Sequence, residues 1–215
     1  MKFSKEFKEA IGHLPDHEKD KLLFRLLKKD PILVKRLEFE LLGENSLEER
    51  REEMQKFIVD QVDFMTTNYY SPGYLNMDIR FLSGYITEHV KVTKDKFGEA
   101  SLNLLMLIKV LEKNKTNITK HSPAKTKKLV LALISRAFKI ITLINKLHED
   151  LYIEFENDLN QLGKLMLQNH HVKKMASLHG FDINWLINAD IPEDIEEIHR
   201  DLKNKGYLTA RQITW

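Results

Sequence analysis

A chain of 215 residues is long enough for one sizeable hydrophobic core or two small ones, and 42% hydrophobic with 31% charged residues describes a folding chain. A formal charge of +2 selects no class of partner, and the absence of cysteine excludes disulfides, thiolate nucleophiles and Cys-ligated zinc or iron–sulfur sites. The first twenty residues scatter charges of both signs and lack the apolar core of a secretory signal, so a reducing cytoplasm is the expected location.

Apolar residues recur at spacings of three and four, without sustained alternation or an Asn-Gly hairpin turn. This predicts helices near 4–11, 15–29, 31–42, 47–66, 72–91, 95–113, 123–168, 171–179 and 192–205, the long one bending or breaking near 148–150. Pro15, Pro31, Pro72, Pro123 and Pro192 each stand at an expected helix start, where the missing N–H costs nothing. Asp30, Ser71 and Ser122 precede three of them as caps, and Ser46 with Glu49 reads as a capping box. Gly12, Gly43, Gly180 and Gly206 fall where patterns stop and positive φ is cheap. Short connections then predict an all-α fold of eight to nine helices in antiparallel hairpins, either an irregular bundle or a short HEAT-like stack. Residues 1–215 read as a single domain, with a weak boundary expected near 114–122.

Known catalytic and metal signatures are missing. His13 and His17 have the spacing of a shared metal site, but Pro15 lies between them. One E-x-x-H copy, Glu196 with His199, lacks the second that a carboxylate-bridged bundle needs and reads as an acidic face. His170 and His171 are adjacent, so they point about 100° apart on a helix, and they read as a dipole-stabilised end of the long helix. No Walker A loop, G-x-G-x-x-G or G-x-S-x-G occurs. No catalytic residue, metal or cofactor is therefore expected.

Two segments carry candidate binding residues. In "NYYSPGYLNMDIRFLSGY", 68–85, the spacing of Tyr74, Phe81 and Tyr85 predicts one buried face, with Tyr69 and Tyr70 exposed at the junction. In 123–147, apolar positions fill most of the helical wheel, predicting burial of Leu133, Ile134, Ala137, Phe138, Ile141 and Ile144. A narrow stripe remains with Lys125, Lys128, Arg136, Lys139 and Lys146. Residues 91–146 hold thirteen Lys/Arg against three Asp/Glu, while acids concentrate in 44–53 and 190–201. The acidic C-terminal helix could therefore pack on the stripe. Arg136 and Lys139, mid-run, exclude a membrane span.

The function expected from these features is a non-enzymatic helical binding or scaffold module for a protein partner. The alternative is nucleic-acid binding along the basic stripe, which lacks the interleaved aromatics and glycines of such surfaces. A third reading, an enzyme without a local motif, would require a pocket with two or more buried carboxylates or histidines of perturbed pKa.

Overall fold

The computed structural model describes residues 2–43 and 45–209; Glu44 of the acidic stretch lies outside them. Those residues form α1 (Lys5–Gly12), α2 (Asp16–Leu27), α3 (Pro31–Leu42), α4 (Leu47–Thr67), α5 (Pro72–Thr93), α6 (Lys96–Lys113) and α7 (Lys115–Thr119). Then follow α8 (Pro123–Asn145), a 3-10 segment (Glu149–Phe155), α9 (Glu156–Gln168), α10 (His170–Leu178), α11 (Asn184–Ile187) and α12 (Ile195–Asn204). The fold is all-α, with no strand among the described residues.

End chemistry sets most boundaries. Ser4, Asp30, Ser71 and Asp95 each accept a hydrogen bond from the backbone N–H three residues on, filling donors that a helix start leaves open. Both halves of the capping box form: Glu49 N–H donates to Ser46 Oγ at 3.2 Å, and Ser46 N–H to the Glu49 carboxylate at 2.7 Å. Gly43, Gly180 and Gly206 take φ of 58°, 72° and 84°. Gly12 does not; it is the last residue of α1. Ser122 makes no side-chain cap, and Pro192 precedes α12 by three residues, its carbonyl accepting from Ile195 N–H.

The count exceeds eight to nine because the stretches expected to be irregular contain α7 and α11, and because the 123–168 helix is divided. No proline or glycine causes that break. Phe155 turns into the core against Phe97, ring centroids 5.0 Å apart, and the Tyr152 hydroxyl donates to the Asn145 carbonyl that α8 leaves open. Tertiary packing outweighs the local propensity to continue.

At the centre lies α6, with buried residues on every face and α4, α5, α8 and α9 packed around it. Beside it is α8, whose six expected core residues are at most 1% exposed. Phe138 sits edge-on to Phe181 at 4.7 Å and stacks parallel on the His199 ring at 4.7 Å. The 114–122 stretch is stitched to the end of α4: Asn114 donates to Thr66 Oγ1 at 2.8 Å, and Ile118 is fully buried.

The first three helices differ from all this. None of α1, α2 and α3 contains a buried residue. α3 lies across α5, α2 touches α3, and Phe3, Phe7, Ile11, Leu23, Phe24 and Leu26 face solvent.

Candidate functional site

The basic stripe is not one surface. Lys125 and Lys128 are exposed, and neither pairs with an acid among the described residues. Arg136 is half-buried between α8 and α5, donating to the carbonyls of Ala132 at 3.3 Å and Ile79 at 3.5 Å. Burial, and then the nearby Arg80, hold its pKa below the usual guanidinium value. Lys139 pairs with Glu99 at 3.3 Å, and Lys146 with Glu196 at 2.8 Å. The second pair, with Asn145 donating to the Glu193 carbonyl, seats the acidic α12 on the end of the stripe.

His170 and His171 open α10 rather than closing the long helix. Asn169 caps that start through the N–H groups of His171 and Val172, and buried His171 meets Thr126 Oγ1 at 3.1 Å. Burial, with His170 adding to it, lowers the His171 pKa. Half-buried His199 is a packing partner of Phe138 rather than part of an acidic face. Among the described residues, no group of three or more His, Asp or Glu is placed to hold a metal ion.

The aromatic segment reverses its expected orientation. Tyr74, Phe81 and Tyr85 are exposed, because the core side of α5 is taken by Leu75, Ile79, Leu82 and Ile86 on the opposite face. Tyr69 is not an exposed partner of Tyr70: its hydroxyl donates to the Asn117 carbonyl at 3.2 Å, and Lys120 sits over its ring. Tyr70 is 78% exposed and stacks edge-on upon Tyr74. Thus Tyr74, Met77, Phe81 and Tyr85 form a second apolar stripe along α5, facing water, which Tyr70 extends from just ahead of the helix.

That stripe borders a groove against α4. Met54, Phe57, Gln61 and Phe64 recur at three and four residues along the facing side of α4, and Phe57 meets Tyr85 edge-on at 5.2 Å. At the far end α3 roofs the groove: Lys35 pairs with Glu88, and Arg50 lies over the Phe39 ring at 4.9 Å. Beneath it is a recess of about 500 Å³ lined from all three helices. Towards Tyr70 the groove is open, with a recess of about 240 Å³ between Gln61, Phe64, Asp78, Phe81 and Tyr85. Tyr85 borders both recesses, which follow one another along the seam between α4 and α5. Asp78, on the open wall, has its pKa raised by burial and has no ion pair among the described residues.

The roofed recess contains His89, 8% exposed, with no partner for Nε2. Its pKa is lowered by burial foremost; Asp95 opposes the shift, while Arg51 and Arg50 add to it. Asp95, the nearby buried acid, is committed elsewhere: it accepts from Arg51 at 2.7 and 3.1 Å and from Gly98 N–H at 2.7 Å. Among the described residues, no other buried acid stands beside His89.

None of the known protein-family models, curated proteins or solved structures matches the chain significantly.

Proposed function

We propose that the protein is a non-enzymatic binding module whose α4–α5 groove takes an amphipathic helix of a protein partner. The observation that carries this is the open half of the groove, where Phe64 and Phe81 are 65% and 63% exposed beside Tyr70, Tyr74, Met77 and Tyr85. At such exposures six large side chains present roughly 700 Å², allowing about 200 Å² for each. A typical monomer's largest apolar patch is about 300–600 Å², and such patches mark interaction sites. Helix-in-groove recognition reads anchors at i, i+3 or i+4, and i+7, the spacing at which α5 displays its own stripe. The chain supplies its own precedent in α3, an amphipathic helix seated on the other half. A cytoplasmic setting accords with this reading; no described helix is long and apolar enough to cross a membrane.

Nucleic-acid binding has weaker support, because Lys139 and Lys146 already have acidic partners and Arg136 is half-buried. Selection of displayed helical peptides on the full chain tests the proposal. Binders should converge on apolar residues at three- and four-residue spacing and lose at least tenfold in affinity to Phe81→Glu. Binders indifferent to Phe64→Glu and Phe81→Glu would refute the groove.

A further inference from the structure

The open groove is not the only apolar surface left without a partner. Phe3, just ahead of α1, and Phe7 and Ile11 on it recur at four-residue spacing, and Leu23, Phe24 and Leu26 project from α2; all six are exposed. Neither helix contributes a buried residue. At the same allowance of about 200 Å² per side chain, the arm offers roughly 600 Å² of apolar surface. One chain therefore carries two unsatisfied faces of similar size.

Length and charge match as well. α2 has 12 residues, so at 1.5 Å each it is about 18 Å long, close to the roughly 17 Å from Tyr74 to Tyr85 along α5. Residues 2–29 hold eight Lys/Arg and five Asp/Glu, whereas no cation among the described residues lines the open recess. The groove wall adds Asp78, a partly buried carboxylate with no cation among the described residues. A net-basic apolar hairpin thus complements an apolar recess whose one charged lining residue, among those described, is a carboxylate.

Resting on the reading of the groove as a helix-binding site, we infer that its resident occupant is the α1–α2 arm of a second copy. Two chains exchange arms reciprocally, giving a two-fold dimer, and an external partner helix must displace an arm to bind. Each arm–groove contact removes roughly 1,300 Å² counting both sides, so two approach 2,600 Å², within the range of obligate homodimers at about 2,000–5,000 Å². Two-fold exchange of an N-terminal element also closes the assembly, leaving neither face open to further chains.

Sedimentation velocity on the full chain tests this, using an arm variant (Phe7→Glu/Phe24→Glu) and a groove variant (Phe64→Glu/Phe81→Glu). All four positions are exposed within one chain, so circular dichroism melts taken below the dimerisation concentration should match the parent. The parent should be a dimer at micromolar concentration, and each variant alone should dissociate at least tenfold more readily. An equimolar mixture of the two should form a heterodimer, because it retains one intact arm and one intact groove. A monomeric parent, or variants that dimerise like the parent, would overturn the inference. So would a monomer in which a cross-link joins the arm to its own groove. The two readings fail separately. Helical peptides that need Phe81 while the parent stays monomeric sink the exchange alone. A mixing-dependent heterodimer with no selectable peptide sinks the external partner and leaves the exchange standing.

Discussion

α3 and α8 are both rich in leucine, isoleucine and valine, yet α3 has only half-buried residues on its inner side and α8 has eleven fully buried ones. The difference lies in neighbours. α8 runs beside the central α6 and is also covered by α5, α10 and α12, whereas α3 rests on α5 with α2 loosely beside it. Apolar composition states how much surface a helix needs to hide; topology decides whether one chain can hide it. Where it cannot, as on α1, α2 and the outer face of α5, the remaining surface points to something outside the chain.

The sharpest way to break this contrast is to truncate one aromatic in each region. Phe138→Ala should cost about 3–5 kcal/mol, since it removes a ring packed among Phe181, Trp185 and His199 and leaves a cavity. Phe24→Ala, at 61% exposure, should change monomer stability by less than about 0.5 kcal/mol. Urea melts in dilute solution check both. Equal losses would show that the arm belongs to the core.

Ion pairs should divide the same way. Arg51→Met strands the buried Asp95 carboxylate at the start of α6, an expected loss of about 3 kcal/mol, read from the same melts. Lys5→Met, breaking a solvent-exposed pair with Glu9 in the arm, should leave the midpoint unmoved.

Smaller than the Arg51→Met loss is the effect of pH. His89, His171, His179 and His199 all have pKa values lowered from 6.5, burial being the first cause in each. A histidine whose folded pKa is depressed is fully compatible with folding above its unfolded value; stability is lost as pH falls through about 6.5 towards the folded pKa. Thermal midpoints should therefore be lower at pH 5.5 than at pH 7.5, and His199→Leu should recover part of the difference. All four lie in the body, none in the arm, so an arm reporter should show no such shift.

The α-helical class, the caps and the α8 core are written locally, in three–four spacing and in Asp30, Ser46 and Ser71. The groove was harder to read because α5 is apolar on two sides. Periodicity alone assigned Tyr74, Phe81 and Tyr85 to the core, although Leu75, Ile79, Leu82 and Ile86 already supply a complete inward stripe. Two stripes on one helix exceed what a single core requires, and that surplus was the available signal. The recess around His89 left none, since α3, α4 and α5 meet there only after folding. The break expected near 148–150 falls at 145–149, but its cause is not written locally, because Phe155 packing on Phe97 imposes it from a distance.

Hydrogen exchange at single-amide resolution, at concentrations below and above dimer formation, tests most directly that the arm finds no partner within its own chain. In dilute protein, amides of Lys5–Leu27 should exchange with little protection while those of α6 and α8 open only on global unfolding. Protection of the arm and of the Tyr74–Tyr85 stretch should then rise together as concentration increases. An arm as protected as α6 in dilute solution, indifferent to concentration, would contradict the account.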